Sequence, residues 1–489
     1  MIFFLEQAGV AELSAEVCVV GSGPAGVTLA QSLASGGRSV VLAEAGGLEW
    51  EEQSQDVYKG AVVGDEYYRL DETRLRFFGG SSNHWAGNYA PLQPHDFLPK
   101  AAAPETAWPI PFEEFERYAP AARSALGFRE AEPSLPVLGG DFERVDETTL
   151  AEPFNFGIAH YASLESSPLV KLVLHANLVG MERADGRILA AHFRDYDDRS
   201  LTVRASAYVL ACGGIENARL LLCVNERLGT DLGDQSGALG RYFTEHAHGL
   251  VADLLVLDEA GYQAISKRSQ GFGEPHSATD HFAPDAAFLE AHETLNFLMA
   301  LRRPSDPQGA KGVLADLLCS APDLGERLVR AVGGRMRCWG RIQTSLEQAP
   351  LPDNRVALGD EVDRFGLRRP TLHWRKTELE RRTVRETVLR FGERLAEHDV
   401  ARLRVRDWVL DDDVPVEYGY GPAANHHIGA TRMAASAEEG VVDTNCRVFK
   451  TDNLYVAGSS VFPSCGYASP TLPIVAMTLR LAEHLRTRL

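Results

Sequence analysis

The chain has 489 residues, 45% of them hydrophobic and 24% charged, with a formal net charge of −19; this is ordinary globular usage, in a length that exceeds one usual core and can bury a large cofactor. So acidic a chain repels phosphate surfaces, which argues against nucleic acid and anionic membrane as partners and for a neutral or cationic small molecule. Seven cysteines (18, 212, 223, 319, 338, 446 and 465) are odd in number and contain no Cys-x-x-Cys pair, so neither a disulfide framework nor a metal site is expected, and the setting is read as reducing.

The opening "MIFFLEQAGVAELSAE" has an apolar run too short for a signal segment and lacks a basic flank, and no stretch approaches 18 uninterrupted apolar residues; a soluble, cytoplasmic protein is expected. The first strong element pattern is "EVCVVGSGPAGVTLAQSLASGGRSVVLAEAGG". Val17–Val20 predicts a buried parallel strand, Ala25–Leu33 a helix, and Ser39–Ala43 a second strand ending at Glu44. Between the first strand and the helix, Gly21 permits a tight turn, Gly23 lets a pyrophosphate approach the backbone, and Gly26 lets the helix lie close to the strand. The helix N-terminus then faces phosphate, and Glu44, 18 positions beyond Gly26, suits a carboxylate that binds a ribose hydroxyl. This dinucleotide fingerprint does not by itself separate FAD from NAD.

Further along, "FFGGSSNHWAG" (77–87) and "YVLACGGIENARLLL" (208–222) are glycine-punctuated, and 354–375 shows two strand candidates around an Asp/Gly turn, as a β-hairpin should. "NHHIGATRM" (425–433) sets two histidines side by side. If the chain there is extended, His426 and His427 point to opposite faces. At the end, Asn453–Ala457 predicts a strand, Gly458-Ser459-Ser460 a polar turn, and Pro470–Leu485 a long apolar helix preceded by Ser469.

Together these segments resemble the glucose-methanol-choline (GMC) oxidoreductase family, and most closely its bacterial, pyranose-oxidase-like, sugar-oxidising branch. The resemblance covers nearly the whole chain, is most specific in the first ninety and last seventy residues, and is faint over about 255–335. It implies an α/β protein (α+β overall) with a Rossmann-like FAD-binding domain on a parallel sheet and a substrate domain on a mostly antiparallel sheet. The expected cofactor domain is discontinuous, 1–100, 160–250 and 425–489, and the substrate domain takes 101–159 and 251–424. The expected FAD contacts are Gly21, Gly23, Ala25, Gly26, Glu44, Ser82, Asn83, His84, Val179, Gly458, Ser459, Pro470 and Thr471. In pyranose-oxidase-like members the histidine matching His84 can be joined covalently to the flavin, so His84 is a candidate for such a bond.

The resemblance implies oxidation of a hydroxyl group, on a sugar, glycoside or related alcohol, by hydride transfer to flavin, with oxygen or a separate carrier as final acceptor. The family motif His-x-x-Gly-x-x-Arg-Met carries the general base at its first position, which is His426 here, in register with Gly429, Arg432 and Met433. An imidazole suits proton removal near neutral pH. His427 is read as a hydrogen-bonded companion in the catalytic set. The family's second catalytic position, His or Asn, falls on Ser469, whose hydroxyl is shorter than an amide and cannot take a positive charge. Ser469 therefore either holds the substrate oxygen, directly or through water, or merely caps the helix ahead of Pro470, with Asn425, His427 or Tyr467 as other donors. The same departure leaves open a non-redox, lyase-type flavoenzyme on this fold. His246 and the run Asp411–Asp413 carry less weight, as charged loop residues are usually just solvated.

Overall fold

A computed structural model describes residues 1–7, 9–150, 155–266, 269–270, 278–303, 339–414, 420–421 and 424–489, with positions 325, 327–328 and 331. Two of the seven cysteines, Cys319 and Cys338, lie outside the described residues; the other five are unbonded thiols.

Val17, Cys18 and Val19 are fully buried in the strand Glu12–Val20, which pairs in parallel with Val40–Ala43 on one side and Ser200–Leu210 on the other. A continuous apolar run of this kind is what a strand covered on both faces requires. The eight-stranded sheet continues through Val170–Leu174 to Ile2–Phe4, and on the far side through the meander Arg187–Arg194 and Asn177–Ala184. Leu454–Val456 joins in parallel beside Ser200–Leu210. Helices Pro24–Ser35 and Thr471–Arg488 pack on each other, so the two ends of the chain meet beside the same sheet. At the turn between strand and helix, Gly21 has φ +99°, and a Cβ there would lie 2.6 Å from the Ala211 carbonyl oxygen. A Cβ on Gly26 would approach the Gly21 carbonyl oxygen to 1.8 Å, so only glycine lets this helix start so near the turn.

The second sheet is antiparallel. Its order is Ala401–Val405, Ala247–Val256, Trp339–Leu346, Phe297–Arg303, Ala278–Pro284, Phe142–Val145, Leu135–Val137. Helix Glu378–Glu397, opened by a Thr377/Glu380 capping box, covers one face with Val384, Val388, Phe391 and Leu395 against Phe282, Phe297, Met299 and Ile342. The other face is turned to a cavity shared with the first sheet. The expected hairpin at 354–375 is present as Arg355–Val362 antiparallel to Arg368–Trp374, which in turn pairs with Ala61–Gly64.

One local expectation is corrected. The terminal helix runs Thr471–Arg488 with Pro470 as its N-cap and no capping side-chain hydrogen bond. Ser469 thus lies one residue outside the helix cap, and its hydroxyl does not cap the helix.

Candidate functional site

The cavity measures about 590 Å³ and is walled by both sheets and the two end helices, a size at home among cofactor and ligand sites. Gly21, Gly23, Ala25, Glu44, Ser82, His84, Gly458, Ser459, Pro470 and Thr471 line it, and so do His426, His427 and Ser469. Three expected cofactor residues do not. Gly26 serves the turn packing described above. Asn83 donates to the carbonyls of Phe78 (3.0 Å) and Gly80 (2.9 Å) and accepts from Asn155, bracing its own loop. Val179 is the extra residue of a bulge between the pairs Leu178–Phe193 and Gly180–His192, and it packs with Val57, Tyr196 and Phe365; Leu178 takes the place on the cavity wall.

The glycine-turn end suits a dinucleotide. A Cβ on Gly23 would meet nothing within 4 Å, so the backbone there is open to a ligand. Glu44 Oε2 accepts from the Ser22 amide (3.0 Å) and hydroxyl (2.6 Å), and Oε1 from the Gly46 amide (2.9 Å). Those bonds hold the carboxylate at the cavity wall and leave lone pairs for a ribose hydroxyl. Sequence reasoning missed the basic side of this region. Arg74 Nη1 is buried without a hydrogen bond and stands 3.6 Å from Glu216 Oε2, which is also unbonded. Orphaned buried polar atoms on a cavity wall are what a phosphate- and hydroxyl-bearing cofactor would satisfy.

At the other end, the Thr244–Ile428 bridge, with N···O distances of 3.0 and 3.1 Å, lays residues 425–428 beside 244–246. Extended pairing sends alternate side chains to opposite faces, and the two histidines do part company. His426 turns to His246, Nδ1 to Nδ1 at 2.8 Å. His427 turns to Tyr67 and Phe243, and its Nε2 is buried without a hydrogen bond, 4.0 Å from Glu245 Oε2. The Ser459 hydroxyl, expected to serve the cofactor, donates to the His427 carbonyl at 2.6 Å.

Two residues of "TEHAHG" therefore matter more than their sequence context suggests. His246 is no solvated loop group: it is 2% exposed, and burial followed by the nearby His248 ring pushes its imidazole down to about 3. Glu245 is fully buried; Oε1 accepts from the backbone amides of His426 (2.6 Å) and His246 (3.0 Å), and Oε2 from the Tyr67 hydroxyl (2.7 Å). Burial raises its carboxyl to about 7, opposed by the bonds from Tyr67 and the amides of His426, His246 and Asn425. His426 is held well below its ordinary value, first by burial and then by the rings of His246, His248 and His427. Burial, then Arg74 and His84, takes His427 to about 3. Burial also lowers His84. All four histidines are thus neutral near pH 7.

Neutral imidazoles have one N–H each, so in the His246–His426 bond one Nδ1 donates and the other accepts. In the tautomer with the proton on His426 Nδ1, His246 Nδ1 accepts and His426 Nε2 keeps a lone pair, on a ring that lines the cavity.

Residues 350–478 match the family model described as GMC oxidoreductase. The fructose dehydrogenase large subunit of Gluconobacter japonicus is 22% identical, over 96% of this chain and 97% of its own. The 6'''-hydroxyparomomycin C oxidase of Streptomyces lividus is 27% identical over 59% of this chain, which spans 46% of that relative. Among solved structures, pyridoxine 4-oxidase from Mesorbium loti shares the fold with a TM-score of 0.58 at 16% identity, over 96% of this chain and 98% of its own. Among the described residues no helix is long and apolar enough to cross a membrane. The residues that match the family model include the histidine segment and the start of the terminal helix, and the fold is shared with pyridoxine 4-oxidase over nearly the whole chain.

Proposed function

We propose that the protein oxidises a hydroxyl group of a sugar, glycoside or related alcohol, with His426 as the general base. The observation that carries this reading is the His246–His426 hydrogen bond of 2.8 Å on a ring that lines the cavity; with the proton on His426 Nδ1, Nε2 is free to accept. FAD, when bound, supplies the acceptor for the hydride that leaves the carbon. The chain's own residues do the rest. Gly21, Gly23, Ala25, Glu44 and Arg74 hold the dinucleotide end, and Ser82, His84, Gly458, Pro470 and Thr471 stand around the remainder. His426 Nε2 takes the hydroxyl proton, His246 keeps the ring in that tautomer, and Glu245 fixes the backbone that carries both. Ser469 holds the substrate oxygen, a role supported by its position on the same cavity wall and outside the helix cap. His427 supports the segment from behind.

We assign residues 1–100, 160–250 and 425–489 to the cofactor domain and 101–159 and 251–424 to the substrate domain. The division is supported by the placement of the parallel strands, although Ala61–Gly64 pairs across it with Arg368–Trp374. The reading is tested by mixing the yellow protein anaerobically with hydroxyl compounds. Bleaching by one of them, lost in His426→Ala, supports it; bleaching that survives the substitution contradicts it.

A further inference from the structure

The cavity-facing side of the antiparallel sheet carries polar groups that proton removal at His426 does not use. Strand Phe297–Arg303 alternates: Phe297, Met299 and Leu301 are buried in the core under helix Glu378–Glu397, whereas Leu298, Ala300 and Arg302 line the cavity. Directly opposed residues of an antiparallel pair share a face. The register sets His281 and Gln343 on either side of Ala300, and Ser345 between Leu298 and His248, and these four also line the cavity. Glu147 completes the patch through its ion pair with His281 at 2.5 Å.

The charges in this patch are not balanced. Burial would raise the Glu147 carboxyl, but His281, then Arg302 and His248, hold it below its ordinary range, so it is ionised and occupied by His281. Arg302 is exposed to the cavity and, among the described residues, its guanidinium has no hydrogen-bond or ion-pair partner. Its cross-strand neighbour is a second cation, Arg341. Asp253, opposite Arg341, is taken by Arg404 and Arg406, each at 2.8 Å. An unpaired guanidinium beside a paired carboxylate selects a planar or tetrahedral oxyanion, which it can grip with two parallel N–H donors.

We propose that Arg302 forms an anion subsite on the substrate side of the cavity, so that the preferred substrate is a hydroxyl compound that also carries a carboxylate or phosphate group. This rests on reading the His426 cavity as the hydroxyl-oxidising site. It also replaces the neutral or cationic ligand expected from a net charge of −19: charges beyond a Debye length, about 8 Å at physiological salt, are screened, and the local wall decides.

The test uses the FAD-loaded protein. Calorimetric titration with inorganic phosphate, and separately with acetate, should show binding that weakens about ten-fold to a hundred-fold in Arg302→Gln and is largely kept in Arg302→Lys; whichever anion binds tighter names the source. In turnover, D-glucuronate or D-glucose 6-phosphate should have a lower KM than D-glucose, and Arg302→Gln should erase that difference while changing kcat little. Absence of anion binding, or equal binding in wild type and Arg302→Gln, overturns the subsite. If no hydroxyl compound bleaches the flavin while anion binding still depends on Arg302, it is the oxidation reading that fails and the subsite that stands.

Discussion

His246 and His426 meet Nδ1 to Nδ1 at 2.8 Å although 180 positions separate them in the chain. Replacing His246 by Ala removes the acceptor for His426 Nδ1–H and frees the ring to change tautomer. Flavin reduction should slow about ten-fold to a hundred-fold, the worth of one hydrogen bond to a group that becomes charged. FAD content should stay unchanged. His246→Asn, whose side-chain oxygen can accept the same bond, should recover part of the rate; equal loss in both variants would remove the tautomer role.

Glu245 gives a pH signature. Its folded value, about 7, lies above the ordinary 4.5, so the folded state holds an extra proton between those values. Its stabilising contribution is therefore full below about 4.5 and is lost as pH rises through about 7. Glu245→Gln keeps acceptors for the His426 and His246 amides and removes the titration. Relative to wild type, the variant should gain on the order of 2 kcal/mol of stability between pH 5 and pH 8, read by urea unfolding. A constant difference across that range would exclude Glu245 as the titrating group. His426 is held well below its ordinary value, so any inflection of flavin reduction near pH 7 should also vanish in Glu245→Gln.

Ser469→Ala separates two roles cleanly, because Pro470 and not Ser469 is the N-cap of the terminal helix. Thermal stability should move by no more than about 0.5 kcal/mol. Flavin reduction should fall about two-fold to a hundred-fold if the hydroxyl holds the substrate oxygen. Ser469→Asn, which restores the longer donor of related enzymes, should then raise the rate. A loss of stability near 1 kcal/mol with reduction untouched would return Ser469 to a structural part.

His84 opens onto the cavity and is kept neutral by burial. We expect it to lie beside the flavin without a bond, so acid precipitation should release FAD into the supernatant. A yellow pellet, lost in His84→Ala, would establish the covalent link.

What the sequence discloses here is mostly local. The turn at Gly21 and Gly26 is written within one strand-turn-helix stretch, and the structure returns it with φ +99° and a 1.8 Å approach that admit no side chain. His426 and Ser469 are likewise visible because they sit in contiguous motifs. Glu245 and His246 are brought beside His426 only through the bridge to Ile428, a pairing of distant segments that local pattern does not encode. Arg302 and His281 need the register of neighbouring strands before they share a wall. Val179 shows the limit of strand alternation: one bulge moves a side chain from the expected face to the other.

The most direct test of the account compares His426→Ala and His427→Ala in anaerobic stopped-flow reduction, with FAD content verified in both. The account predicts that His426→Ala slows reduction by about 10² to 10⁴, the range of a lost general base, and that His427→Ala, whose ring faces Tyr67 and Phe243, costs less than ten-fold. Equal impairment, or a greater loss at His427, would contradict it.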